Sequence, residues 1–224
     1  MGKLDHLKPE RVFYYFEKIS SIPRGSGNTD KISLFLCDFA NEKSLKYVRD
    51  DAGNVVIYKK ASAGYENAPS VILQGHMDMV CEKEEDTDFD FENDGLKLIA
   101  DGDNLTADGT TLGGDDGIAV AMILAVLEDE NLNHPALEAV FTTDEEVGLI
   151  GAKALDMSIL SSEKLINIDS EGEGIFLTSC AGGVDALSSF SLEYKSFEGE
   201  CFEIAVKGLE GGHSGSEIDK ERGN

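Results

Sequence analysis

His76 and Asp78 stand two residues apart in VILQGHMDMV (71–80), directly after the apolar run Val71, Ile72, Leu73. An imidazole and a carboxylate at that spacing can hold a cation or move a proton. Inside a sheet such a pair is costly unless something partners it. A histidine satisfied by hydrogen bonds at a strand end is the plainer reading of this segment taken by itself. Comparable groups recur along the chain. Asp115 and Asp116 in GGDDG precede an apolar stretch, Asp144, Glu145 and Glu146 in TTDEEVG follow another, and Asp169 in NIDSE closes a third. Singly each is ordinary, because an Asp before a helix is most often a cap. Converging on one sheet edge, they would repel each other unless cations sat among them. Divalent ions bound by histidine plus carboxylate resolve that conflict, and zinc suits the ligand mix.

Such groups need elements to position them. Pro9 to Ile19 has the character of a first helix, with Pro9 at its start. Asn28 or Thr29 can cap a second, in which Ile32, Phe35, Leu36, Phe39 and Ala40 recur at helical spacing. Short strands are expected around Leu45–Arg49 and Asn54–Lys59, followed by the strand that ends at His76. IAVAMILAVLEDE (118–130) is almost wholly apolar, as a buried helix is. Asp116 then reads as an acid at that helix's N-terminus, where the dipole favours it. LEAVFTT (137–143) and KLINID (164–169) read as core strands, with a short helix near Ala152–Asp156 between them. His76, Asp144 to Glu146 and Asp169 fall where strands emerge, and Asp115 and Asp116 where the helix begins; in open α/β sheets ligands bind outside the carboxyl edge of the strands.

Other segments carry less chemistry. The acidic run EKEEDTDFDFEND (82–94) imitates the opening of a calcium loop through Asp86, Asp88 and Asp90. Phe91 stands where the turning glycine is required, so the run reads as a solvated loop. Asp-Gly pairs at 94–95, 101–102 and 108–109 mark hairpin-type turns. His134, ahead of Pro135, reads as a surface residue. After the glycines at 182–183, alternation in VDALSSFSLEY and GECFEIAVKG suggests antiparallel strands of a second domain.

Composition sets the outer limits. Among 224 residues, 44 Asp and Glu face 19 Lys and Arg, a net charge of −25. That field repels a phosphate backbone, and no basic cluster offsets it, so nucleic acid is not an expected partner. No apolar run is long enough to span a membrane, and the first residues lack a signal-peptide core. Cys37, Cys81, Cys180 and Cys201 are scattered without a CxxC pair, as expected of reduced thiols in a cytoplasmic protein.

The ordered set GHMDMV, GGDDG, TTDEEVG, NIDSE and GGHSG (211–215) resembles the M20 family of co-catalytic zinc peptidases, and within it the aminoacyl-histidine dipeptidase branch. The likeness runs from IPRGSGN (22–28) and LQGHMDMVCEK (73–83) to ADGTTLGGDDGIAVA (107–121) and GLEGGHSG (208–215). It implies an α/β fold: a three-layer catalytic domain with a mixed central sheet over 1–183, then the start of an α+β lid or dimerisation domain over 184–224. It implies two Zn2+, with Co2+ or Mn2+ as substitutes. His76 and Asp169 would bind one metal, Glu146 the other, and Asp115 would bridge both. Asp78 would accept the free N–H of His76, Glu145 would be the general base, and His213 would polarise the substrate carbonyl across a homodimer interface. The substrate class is a small peptide, an Xaa-His or broader dipeptide.

The chemistry suits these residue types. Two metals ~3.5–4 Å apart acidify a water and clamp the oxygens of a tetrahedral intermediate. A nearby carboxylate takes the proton and returns it to the leaving amine. The branch that the sequence resembles usually has Asn where Asp116 stands, so a second acid lies beside the bridging position and either aspartate is a candidate for it. The family's fifth ligand is a histidine near the C-terminus; His6 and His134 match no motif and no later histidine follows His213. The sequence therefore reads as the N-terminal portion of a longer enzyme, and the 224-residue chain alone is expected to be inactive.

Other classes fit less well. A serine hydrolase would need G-x-S-x-G, which neither GHSGS nor GSGNT supplies. GSGNTDK lacks the lysine of a phosphate-binding loop. The remaining alternatives are another M20-type hydrolase, a tripeptidase or a deacylase of N-acyl amino acids, and a metal-binding fragment without catalysis.

Overall fold

Val55, Ile57, Ala139 and Phe141 pack into one apolar cluster, while their chain neighbours Val56 and Val140 join Ile72 in another. That division is the two-residue period of a strand expressed on a sheet buried from both sides. In the computed structural model, which describes residues 2–170, 172, 174–179, 187–196, 198–211 and 220, the chain divides into two units, Met1–Ile175 and Phe176–Asn224. The first unit contains helices α1 (Glu10–Ser20) and α2 (Asp30–Glu42), then strands β1 (Lys46–Arg49), β2 (Val55–Lys59) and β3 (Val71–His76). A hairpin of β4 (Leu98–Asp101) and β5 (Asn104–Ala107) leads into helix α3 (Gly114–Glu128). Strand β6 (Leu137–Thr142), the short helix α4 (Ile150–Ala154) and strand β7 (Leu165–Asn167) complete it.

The sheet has the order β1-β2-β6-β3-β7. β1, β2 and β6 pair antiparallel, whereas β6, β3 and β7 run parallel. It is the mixed α/β sheet the sequence suggested. Because β3, β6 and β7 are parallel, their C-terminal ends open on one edge, and the residues that follow them meet there. The larger cluster joins one face of the sheet to α1, α2 and α3; the smaller, on the other face, includes Leu155, Ile159 and Leu160.

Helix α1 buries Val12, Tyr15, Phe16 and Ile19, one stripe at helical spacing. Helix α3 buries Ala119, Val120, Ala121, Ile123, Leu124 and Leu127. Full burial of one Leu- or Ile-sized side chain is worth about 1.5–3 kcal/mol, so the body of α3 anchors itself and its charged start is available to the site. Polar ties hold its far end. Glu128 accepts from Arg11 and Lys43, each at 2.6 Å, and Lys59 Nζ donates to the carbonyls of Val126 (2.9 Å) and Asp129 (2.7 Å). A cation at a helix C-terminus satisfies orphan carbonyls and complements the dipole.

Local details depart from the sequence reading, beginning with β7, which reads as a core strand and is exposed along its length. Thr29 does stand at the N-cap of α2, but its side chain makes no capping hydrogen bond. His134 is buried rather than on the surface: its amide donates to Ser62 Oγ at 2.9 Å and its Nδ1 lies 2.7 Å from the Pro135 carbonyl. Tucking the ring against its own loop satisfies it without solvent. In the second unit, residues 187–196 and 198–211 lie in no helix or strand. Alternation becomes sheet only when a strand has partners and a face to pack against, and none is formed among these described residues.

Candidate metal centre

His76 closes β3 with its side chain only 1% exposed. Its Nδ1 faces Asp78, 3.1 Å from the carbonyl oxygen and 3.3 Å from Oδ1. Its Nε2 faces the sheet edge, 2.9 Å from Asp115 Oδ1 and 4.0 Å from both Glu145 Oε2 and Asp169 Oδ2. An imidazole held at one nitrogen by a carboxylate presents the other as a ligand, which is how metal-bound histidines are usually oriented. Oxygens or nitrogens of His76, Asp115 and Glu146 come within 4.8 Å of one another, as do those of His76, Glu145 and Asp169. The structure thus brings together His76, Asp115, Glu145, Glu146 and Asp169 from the ends of β3, β6 and β7 and the start of α3. His213 lies outside the described residues.

Asp78 sits at the centre of the support. Fully buried, it accepts from Ser26 Oγ at 2.8 Å and from the backbone amides of Glu145 (3.0 Å) and Glu146 (3.3 Å). One carboxylate therefore orients the imidazole and the turn that carries both glutamates. Burial works to raise the Asp78 carboxyl, but hydrogen bonds from His76, the Glu145 amide and Ser26 outweigh it and bring it down to about 2. That turn is fixed from behind as well. Asn54 accepts from the Thr143 amide at 3.1 Å and donates to the Gly151 carbonyl at 2.9 Å, clamping both ends of the 143–151 segment.

The aspartate pair divides its roles. Asp115 and Asp116 are non-helical residues at the start of α3, joined by a cis peptide bond. Asp115 is largely exposed and faces Nε2 of His76. Asp116 stands at the helix start, as read, but is buried, and its Oδ2 accepts from the His76 amide at 3.0 Å. A Cβ on Gly75 would come within 2.7 Å of that oxygen, so the glycine before His76 is what lets Asp116 reach the strand. Periodicity carries no signal for this contact; the glycine was its only sign.

Charge shows whether cations fit. Burial pushes Asp116 up to about 7, with the nearby charges of Asp169 and Asp115 adding to it. Burial also raises Glu145 and Glu146, and neighbouring carboxylates reinforce the effect. For His76 burial favours the neutral ring, but the hydrogen bonds to Asp115 and Asp78 prevail and hold it up to about 10. Those two carboxylates thus favour the imidazolium form of the ring. Oxygen-rich donors with raised carboxyl pKa values around one imidazole are a set that divalent cations would relieve.

The sheet and the cluster at its edge define a class: an α/β domain with a histidine–carboxylate group of metal-ligand type outside its parallel strands. Residues 72–188 match the model of peptidase family M20/M25/M40, and the chain belongs to that family. It is 43% identical over 226 residues to the cytosol non-specific dipeptidase of Escherichia coli K12, covering 100% of this chain and 47% of that protein. The crystal structure of an aminoacylhistidine dipeptidase from Vibrio alginolyticus superposes with a TM-score of 0.75 at 42% identity, over 77% of this chain and 35% of that one. A tripeptidase from Staphylococcus aureus superposes with a TM-score of 0.62 at 27% identity, over 73% of this chain and 44% of that one. The chain spans about half the length of its Escherichia coli relative.

Proposed function

We propose that this site serves metal-dependent hydrolysis of dipeptides, Xaa-His among them, in the cytosol and with two Zn2+. The observation that carries the reading is the pair of faces on His76: Nδ1 against buried Asp78, and Nε2 toward Asp115, Glu145 and Asp169. His76 and Asp169 would hold one ion, Glu146 the other, and Asp115 both. When bound, the ions acidify a water and stabilise charge on the carbonyl oxygen.

The chain's own groups supply the rest. Glu145, whose affinity for a proton burial raises, is suited to accept the water's proton and hand it to the departing amine nitrogen. Asp78 keeps the ring of His76 oriented and, through the amides of Glu145 and Glu146, holds the base beside the ligand set. His213 would meet the substrate carbonyl from the partner subunit of a homodimer. The names of the dipeptidase relatives support this substrate class, and the tripeptidase likeness marks the neighbouring one. Among the described residues, Asp115 and Glu146 are the groups offered to the second ion, where zinc ordinarily takes three or more protein ligands.

The test is hydrolysis of β-alanyl-histidine by the whole protein before and after dialysis against a chelator. Chelation should abolish turnover, and added Zn2+ should restore it. Undiminished turnover by protein shown to be metal-free would refute the proposal.

A further inference from the structure

The segment Arg24–Gly27 contributes no candidate ligand, yet it touches three separate parts of the centre. Arg24, only 2% exposed, sends Nη1 to the carbonyls of Met77 (3.0 Å) and Asp78 (3.2 Å), and Nη2 to that of Gly113 at 2.5 Å. Gly25 pairs with Met79 in an isolated parallel bridge. Ser26 Oγ donates to Asp78 Oδ2 at 2.8 Å. The Gly27 amide donates to Asp144 Oδ1 at 2.7 Å, next to Glu145. One short stretch is thus bonded to the end of β3, the loop before α3 and the turn after β6.

We infer that Arg24 and Ser26 are positioning residues that set the spacing of the ligands and of the base Glu145; this rests on the metal-centre reading above. A buried charge is expensive, and an apolar side chain could fill the same volume. What only a guanidinium offers is a planar fork of donors that can reach carbonyls on two different elements at once. Burial lowers Arg24 to about 10, so it stays charged at neutral pH, with Asp78 and Asp116 offsetting the cost. The surroundings are shaped to admit it. A Cβ on Gly113 or on Gly117 would each stand 2.5 Å from Nη2. The glycines that bracket the aspartate pair therefore make room for this arginine, which fixes where the pair begins. Ser26 acts one step closer: it is one of the hydrogen bonds that hold Asp78, and Asp78 in turn orients His76 and the amides of both glutamates.

The experiment uses the whole protein, stripped of metal and titrated with Co2+, followed by visible absorption, alongside thermal unfolding of the metal-free form. Ser26→Ala and Arg24→Lys should each weaken Co2+ binding about 10–100-fold, the usual effect of losing a group that orients ligands, and should alter the Co2+ spectrum. Ser26→Thr, which keeps the hydroxyl, should restore both. If Arg24→Lys does not fold, the Ser26 pair decides. A folded Ser26→Ala protein with wild-type affinity and spectrum overturns the inference, even if its unfolding temperature falls. His76→Ala is the control for the underlying reading: it should lose Co2+ binding outright. Retained affinity there would bring down the metal centre and this inference together, whereas loss there with no effect at Ser26 brings down this inference alone.

Discussion

Glu145→Gln should lower dipeptide hydrolysis by about 10²–10⁴-fold, the span a positioned general base contributes, while the protein keeps its metal. The substitution preserves size and the backbone amide that donates to Asp78, so the turn and its neighbour Glu146 stay in place. What it removes is a carboxylate whose oxygen lies 4.0 Å from His76 Nε2 and whose affinity for a proton burial has already raised. Loss of turnover together with loss of metal would instead make Glu145 a ligand. Near-normal turnover would take it out of the reaction altogether. Metal analysis and kinetics on one preparation separate these outcomes.

Asp115→Asn should strip metal from the site, and Asp116→Asn should leave metal content nearly unchanged. Asp115 Oδ1 faces His76 Nε2, and a neutral amide there offers one weak donor where two ions would share a carboxylate. Asp116 faces the backbone instead, accepting from the His76 amide. An amide oxygen can take over that bond, and burial already pushes the acid up to about 7, so losing the charge costs little. Normal stoichiometry for Asp115→Asn with depletion for Asp116→Asn would exchange the two roles.

The parts of this molecule that follow from period and punctuation were legible beforehand. The two-residue alternation of β2 and β6, the apolar run of α3 and the placement of acids after apolar runs all predict a sheet edge crowded with carboxylates, and the parallel order of β6, β3 and β7 delivers it. Contacts made through three dimensions carried no such mark. Thr29 has the right side chain for a cap and makes no cap bond, because propensity does not specify geometry. His134 reads as exposed, yet folds back on Ser62 and Pro135. Arg24 belongs to IPRGSGN, a stretch visible only as part of a family likeness. Its role emerges from bonds to residues more than fifty positions away. The burial of Asp116 carried no mark for a related reason: it depends on Gly75 of another element.

The central claim is that these side chains hold two ions, and anomalous diffraction at the zinc edge from crystals of the whole protein grown with Zn2+ tests it most directly. Two peaks are expected about 3.5–4 Å apart, one against His76 and Asp169, the other against Glu146, with Asp115 between them. A single peak that excludes Glu146, or zinc bound only away from His76, would contradict it.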